Sequence, residues 1–108
     1  MIINANRQDD TLTVIPEGRL DTLSAPELEE FLEKYYASVS EIIFDFEKLD
    51  YVSSAGLRVL LRAYKAMDGK GGIVIRNANA LVRGVFNVTG FGDVSILNKS
   101  WPEGKLYA

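Results

Sequence analysis

The sequence predicts one α/β domain with a mixed sheet of four to five strands, antiparallel N-terminal strands and three to four helices. An amphipathic helical pattern separates two short, almost continuously apolar runs, "EIIFDF" at 41–46 and "IVIRNA" at 73–78. Such runs are typical of central strands covered on both faces, and a helix between two strands favours a parallel pair. The chain, residues 1–108, has the length of a single domain.

The first predicted element is a hairpin at the edge of the sheet. Apolar and polar residues alternate in "TLTVIPEGRL", which predicts a strand over residues 12–15, an interruption at Pro16 and a second short strand over 18–20. We expect residues 1–4 to pair with this strand and to give the sheet its antiparallel beginning.

The first helix is predicted in "DTLSAPELEEFLEKYYASV". Ser24 is placed to cap it, Glu27 follows at the spacing of a capping box, and Pro26 suits the first turn. Apolar residues then recur at helical spacing. They are Leu28, Phe31, Leu32 and Tyr35.

The second helix carries an apolar stripe on one side and a cationic stripe on the other, as an amphipathic helix does. The apolar stripe is Leu57, Leu60, Leu61, Tyr64 and Met67, and the cationic stripe is Arg58, Arg62 and Lys65. The glycine-rich stretch "DGKGG" predicts the turn that ends this helix.

The C-terminal third predicts a third helix in "ALVRGVFNV", ending near Gly90, and a last strand in "DVSIL". Residues from about 99 to 108 are expected to form a loosely packed tail, or to be held by Trp101 packing back on the domain.

Composition excludes several classes of function. The chain has no cysteine and no histidine. It therefore lacks thiolate nucleophiles, the commonest general base and the commonest transition-metal ligand. We expect no catalytic residue, no metal site and no cofactor.

Charge and hydropathy limit the partners and the location. A net charge of −3 with scattered basic residues argues against a direct nucleic-acid partner. No apolar run reaches the length of about 18 residues that predicts a membrane span, and the N-terminus does not have the pattern of a signal peptide. The absence of cysteine fits a reducing compartment. We therefore expect a cytoplasmic protein.

Two loops are expected to form the functional surface, because sites in open α/β sheets lie beyond the carboxyl ends of the strands. The first loop carries Asp21, Thr22 and Ser24, and the second covers residues 50–56. If their strands are neighbours, the two loops form one surface.

Ser54 is the central candidate of that surface. It is placed to cap the second helix by accepting a hydrogen bond from residue 56 or 57, and capping alone explains a serine at most such positions. Early in a helix, a glycine such as Gly56 lowers helix stability by about 1 kcal/mol relative to alanine. Its lack of a side chain would, however, let another backbone or a phosphate approach. Arg58 is most simply part of the solvated face, although it lies one turn from Ser54 and is within reach of a phosphate there.

Two other patterns are weaker candidates. The stretch "GKGG" at 69–72 lacks the spacing of a phosphate loop and predicts a plain turn. Asp21 and Asp45 can be read as paired carboxylates for acid–base chemistry, but both suit turns or strand ends, so a structural role is favoured.

The stretch "FDFEKLDYVSSAGLRVLL" resembles the signature of the STAS domain, in which a strand leads through a [DS]-S-[SA]-G-L turn into a helix. "PEGRLDTLSAPEL" is similar to the G-x-[LI]-D segment of that family, and "VFNVTGFGDVSIL" is similar to its third helix, glycine and last strand. Because the similarity covers most of the chain, it implies a STAS-like single domain.

The resemblance also implies an anti-sigma factor antagonist that switches partners to regulate bacterial transcription. In that family the unphosphorylated protein binds an anti-sigma factor serine kinase and frees the sigma factor. Phosphorylation of one serine in the turn breaks the complex, and a metal-dependent serine phosphatase resets it. By motif position the acceptor here is Ser54. Many members have an aspartate and a second serine where this chain has Ser53 and Ala55, which leaves Ser53 as the alternate acceptor.

The partner-binding surface implied by the resemblance surrounds this turn. Its expected residues are Asp21, Thr22, Ser53, Ser54, Ala55, Gly56, Leu57 and Arg58. Two other functions stay open. The first is a non-switching STAS adaptor in a lipid-transport or signalling assembly, and the less favoured second is a small enzyme or nucleotide-binding protein that uses the Asp21 and Ser54 surface.

Overall fold

The computed structural model describes residues 1–88 and 105–107. Six strands and three helices occur along these residues. In chain order they are β1 (Ile2–Gln8), β2 (Thr11–Leu20), α1 (Ala25–Glu33), β3 (Glu41–Asp45), β4 (Leu49–Val52), α2 (Ser54–Ala66), β5 (Ile73–Arg76), α3 (Ala80–Val88) and β6 (Lys105–Tyr107).

Five strands form the principal sheet, in the order β1-β2-β3-β5-β6. β1 is antiparallel to β2, the pairs β2–β3 and β3–β5 are parallel, and β6 is antiparallel to β5. β4 pairs in parallel with the second half of β2. The predicted mixed sheet with an antiparallel beginning is confirmed.

β2 is one continuous strand of 10 residues, so the predicted interruption at Pro16 is wrong. Residues 11–14 pair with β3, and residues 18–20 pair with β4. Pro16 is opposite Ile3 of β1 and lies between the segments that pair with β3 and β4, so the amide proton that proline lacks is not missed by either of those two strands. Gly18 has a φ of 97° beside a register shift between Gly18 and Arg19, a conformation that glycine adopts without strain. The shift lets β2 pass from one parallel neighbour to the other.

β4 is not revealed by the sequence pattern. It has four residues, and only the first and the last are buried. The Gly18 N–H donates to the Lys48 carbonyl at 3.0 Å, and the Ser53 N–H donates to the Leu20 carbonyl at 2.8 Å. These bonds bring the end of β2 beside the beginning of α2, so the two loops of the predicted site become neighbours.

The core joins the sheet to the helices through the predicted apolar stripes. It includes Leu28 and Leu32 of α1, Leu57 and Leu60 of α2, and Phe44 of β3. Burying a side chain of this kind contributes about 1.5–3 kcal/mol. The three cationic residues of α2 are exposed, as the second stripe predicts.

α3 begins at Ala80, as predicted, and Asn79 fixes this beginning. The Asn79 Oδ1 accepts a hydrogen bond from the Val82 N–H at 2.8 Å, which is a helix cap. Its Nδ2 donates to the Leu49 carbonyl at 3.1 Å. One side chain therefore both caps α3 and fastens it to the start of β4.

The C-terminal predictions are tested only in part. The helix end near Gly90 and the strand over residues 93–97 lie outside the described residues. Residues 105–107, within the segment expected to be a loose tail, form β6, in which Leu106 is opposite Ile75. No helix in the described part of the chain is long and apolar enough to cross a membrane.

Candidate functional site

The two serines before and at the start of α2 occupy different positions. Ser53 has extended backbone, with φ of −90° and ψ of 178°, and its Oγ accepts a hydrogen bond from the Gly56 N–H at 3.4 Å. Ser53 is therefore the cap, and the prediction that Ser54 caps the helix is wrong by one residue. The reason is that β4 ends at Val52, so the chain turns from strand to helix at Ser53.

Ser54 is the first residue of α2 and is exposed to solvent. Within residues 1–88 and 105–107, no hydrogen bond engages its hydroxyl. The first turn of a helix has unpaired N–H groups and the positive end of the helix dipole, and both favour negative charge. Ser54 therefore combines an available hydroxyl with surroundings that tolerate an anion.

Gly56 is buried against the end of β2. A Cβ at this position would lie 2.7 Å from the Leu20 Cγ and 2.8 Å from the Leu20 carbonyl oxygen. The close approach that this glycine permits is thus made by Leu20 of the same chain, rather than by a partner or a phosphate. Leu57 is also buried, with 7% of its surface exposed, and it packs in the core.

Asp21 holds the turn between β2 and α1. Its Oδ1 accepts hydrogen bonds from the Leu23 N–H at 3.0 Å and the Ser24 N–H at 3.2 Å. The bond from the Ser24 backbone is the main cause of a lowered pKa at Asp21; partial burial opposes it, while Leu23 and the nearby Arg19 add to the lowering. The carboxylate is therefore ionised and fixed at neutral pH.

Ser24 precedes α1 but does not cap it through its side chain. Its Oγ donates to the Arg19 carbonyl at 2.6 Å and accepts from the Asp21 N–H at 2.9 Å. The predicted capping box is also wrong, because the Glu27 carboxylate accepts from the Met1 amino group at 3.1 Å. Ser24 closes the turn with Asp21, and this is its structural role.

A shallow groove runs between the beginnings of α1 and α2. This α1–α2 groove is lined by Thr22, Ala25 and Pro26 on one side and by Ala55, Arg58 and Val59 on the other. An ion pair between Glu29 and Arg62 lies further along the two helices. The structure thus brings three residues of the predicted surface to one groove, while Gly56 and Leu57 lie beneath that surface.

Sequence reasoning misses two exposed residues, Arg19 and Leu23, which flank Asp21 along the chain. The Arg19 guanidinium lies 4.5 Å from the centroid of the Tyr51 ring, and its Nε lies 3.9 Å from the Asp21 Oδ2. Arg19 and Tyr51 are opposite each other only because β2 pairs with the unpredicted β4. Leu23 is 86% exposed, and nothing in the local pattern distinguishes it from a core leucine.

The weaker candidates have structural roles. The Asp45 Oδ1 accepts from the Glu47 N–H at 3.1 Å and from the Asn77 Nδ2 at 2.9 Å, so its contacts do not pair it with Asp21. The 69–72 stretch is a turn in which a Cβ at Gly71 would lie 2.6 Å from the Ser40 carbonyl oxygen. In the described residues, no group of three or more acidic side chains is arranged to hold a metal ion.

Comparison with known proteins gives the family. A family model described as the STAS domain matches residues 3–103. This chain belongs to the STAS domain family. A relative in Bordetella bronchiseptica, BtrV, is named as an anti-sigma factor antagonist. It is 31% identical over 93 residues, which are 84% of this chain and 80% of BtrV.

Solved structures of SpoIIAA have the same fold as this STAS domain. The anti-sigma factor antagonist SpoIIAA in its unphosphorylated form has a TM-score of 0.75 and 22% identity, covering 85% of this chain and 84% of SpoIIAA. The phosphorylated form of the Bacillus SpoIIAA has a TM-score of 0.69 and 21% identity. The match covers 85% of this chain and 86% of that SpoIIAA chain. The STAS-like fold predicted from the sequence is confirmed.

Proposed function

We propose that this STAS domain is a cytoplasmic anti-sigma factor antagonist regulated by phosphorylation of Ser54. The unphosphorylated protein binds an anti-sigma factor serine kinase and frees the sigma factor, and phosphorylation breaks the complex. The observation that carries the proposal is the exposed hydroxyl of Ser54 at the start of α2, beside the α1–α2 groove. A relative named as an antagonist supports the choice of partner.

The geometry favours Ser54 over Ser53 as the acceptor. The Ser53 Oγ already accepts the hydrogen bond from the Gly56 N–H, and losing such a cap costs about 0.5–2 kcal/mol. A phosphate on Ser54 leaves that cap in place and lies where the helix dipole favours an anion. Modification of Ser54 is therefore compatible with an intact α2.

Phosphorylation would weaken the complex through the cost of removing charge from water. A phosphate adds about −1.5 to −2 charges at pH 7. Burying that charge against a partner without a matching cation costs several kcal/mol, and about 1.4 kcal/mol is a tenfold change in affinity. A loss of about a hundredfold or more follows without any change of fold. The fold is similar to SpoIIAA in both its unphosphorylated and its phosphorylated forms, which supports a switch of this kind.

The remaining parts of the cycle belong to other proteins. The kinase partner supplies the phosphoryl group from ATP, and a metal-dependent serine phosphatase removes it. This chain contributes the acceptor hydroxyl and the binding surface, so it acts as a regulatory protein without a cofactor of its own.

The test is phosphorylation and binding with the cognate kinase-type anti-sigma factor. We expect ATP to give a phosphopeptide containing Ser54 in the wild type and in Ser53→Ala, and none in Ser54→Ala. We also expect Ser54→Asp to bind the kinase at least tenfold more weakly than Ser54→Ala. No phosphate on Ser54, or equal binding of the two variants, would contradict the proposal and leave a non-switching STAS adaptor as the function.

A further inference from the structure

Arg58 lies one helical turn beyond Ser54, and both residues are exposed on α2. Residues four apart on a helix have Cβ atoms about 5–6 Å from each other. Because Cα–Cβ bonds tilt toward the N-terminus of a helix, a long side chain at position 58 covers the turn that contains position 54. The two side chains are therefore neighbours on α2, and Arg58 also lines the α1–α2 groove.

Two other arginines, Arg62 in the same groove and Arg19 beside Asp21, already have partners. Arg62 forms the ion pair with Glu29, and Arg19 lies over the Tyr51 ring and close to Asp21. Arg58 makes no hydrogen bond or ion pair to any part of the chain that the structure describes. Among the described residues, it is thus the arginine beside Ser54 that is available to pair with a new charge.

We infer that Arg58 changes its ionic partner when Ser54 is phosphorylated. This inference rests on the proposed function. It adds a second effect of the same phosphorylation, which is the removal of Arg58 from its contact with the partner. In the unmodified protein the Arg58 guanidinium is available on the groove to a carboxylate of the anti-sigma factor. In the modified protein it binds the phosphate on Ser54, since a guanidinium fork matches phosphate oxygens and a phosphate carries more charge than a carboxylate.

The exchange has two consequences. The new ion pair stabilises the phosphorylated protein even when no partner is bound, because opposite charges four residues apart attract each other on a helix. It also removes from the interface the cation that bound the partner, so the phosphate acts both by its own charge and by occupying Arg58. Lys65 is eleven residues from Ser54 along α2, a rise of about 16 Å, so it cannot make the same pair.

The first test needs no partner protein. The protein is prepared with phosphoserine at position 54, in the wild-type, Arg58→Gln and Lys65→Gln backgrounds, and the second phosphate pKa is measured by ³¹P NMR. The nearby Arg58 cation favours the dianionic form of the phosphate. We therefore expect this pKa to be lower in the wild type than in Arg58→Gln by about 0.3 pH units or more. Lys65→Gln is the control and should match the wild type. Equal values in the wild type and Arg58→Gln would overturn the inference.

The second test measures binding of the cognate anti-sigma factor kinase with and without phosphate on Ser54. We expect unphosphorylated Arg58→Gln to bind about threefold to tenfold more weakly than the wild type, and phosphorylation to weaken its binding by a smaller factor. If phosphorylation weakens Arg58→Gln and the wild type by equal factors, the exchange is wrong while the proposed function stands. If phosphorylation leaves wild-type binding unchanged, the proposed function fails, and with it the part of the inference that concerns the partner.

Discussion

Gly56 lets α2 pack directly against the last residue of β2. Substitution by alanine normally raises the stability of a helix by up to about 1 kcal/mol. At Gly56 the added Cβ would meet the Leu20 side chain at 2.7 Å and its carbonyl oxygen at 2.8 Å, and the carbonyl is held by the Ser53 N–H. The backbone therefore has little freedom to move away.

We expect Gly56→Ala to lower the free energy of unfolding by about 1–3 kcal/mol, because overpacking against a fixed backbone is costly. The matched control is Gly84→Ala in α3, where no atom of the described residues outside its own stretch of helix lies within 4 Å of the added Cβ, and stability should be unchanged or higher. Urea unfolding of both variants and the wild type measures the difference. Similar effects at the two glycines would contradict the packing explanation.

Asp21 gives the stability of the domain a dependence on pH. The Ser24 N–H is the main cause that holds the pKa of this carboxyl below its ordinary value of 3.8 in the folded protein. A carboxyl with a lowered pKa stabilises the fold when it is ionised, above about pH 4. This stabilisation is lost as the pH falls through the lowered value.

We therefore expect the wild type to be more stable than Asp21→Asn by an amount that is constant above about pH 5 and declines below about pH 4. Unfolding by urea at a series of pH values between about 2.5 and 7 checks this. A difference between the two proteins that stays the same at the lowest pH would show that the ionised carboxylate has no special role in the turn.

The position of the cap marks the limit of local sequence reasoning at this scale. A serine, a glycine and an apolar stripe correctly predict a helix start, but Ser53 and Ser54 are equally good caps by residue type. The choice between them depends on where β4 ends, which is a long-range property. Local pattern made Ser54 a candidate, its role as phosphoacceptor was implied by the family resemblance, and its available hydroxyl is visible only once the cap is assigned to Ser53.

Among the elements, β3, β5 and α2 were predictable because each carries its own pattern, a continuous apolar run or a two-sided helical stripe. β4 has no such pattern, since its middle residues are not buried and it exists through its pairing with β2 after the shift at Gly18. The contact between Arg19 and Tyr51 was therefore also beyond prediction, whereas the closeness of the two loops was predicted on the condition that their strands are neighbours.

The Asn79 side chain is expected to stabilise both α3 and β4. We expect Asn79→Ala to lower the free energy of unfolding by about 1–3 kcal/mol, because it loses both the cap to Val82 and the hydrogen bond to the Leu49 carbonyl. Asn79→Ser keeps a cap acceptor, loses the donor and places no acceptor against the Leu49 carbonyl, so its loss should be smaller. Denaturant unfolding of both variants separates the two roles, and an equal loss in both would mean that the cap contributes nothing.

At the scale of the whole molecule, the proposed switch changes the surface and leaves the fold alone. We expect phosphoserine at position 54 to shift backbone amide NMR signals in the first turn of α2 and in the loop after β2, while signals of β1, β3 and β5 stay in place. The reason is that the cap belongs to Ser53, so the helix start survives the modification. Widespread shifts across the sheet would contradict this expectation.

The pairing of β2 with both β3 and β4 also determines the stage of folding at which the proposed partner-binding surface around Ser54 can form. The β1–β2 hairpin is local and can form early, whereas the β2–β4 pair closes a loop of about thirty residues and must form later. Only that pair places Ser53 against Leu20 and aligns the two loops. The surface that we propose binds the kinase is thus expected to form late in folding, so we expect refolding intermediates to be poor kinase substrates. Phosphorylation measured at successive refolding times should lag behind formation of the hairpin.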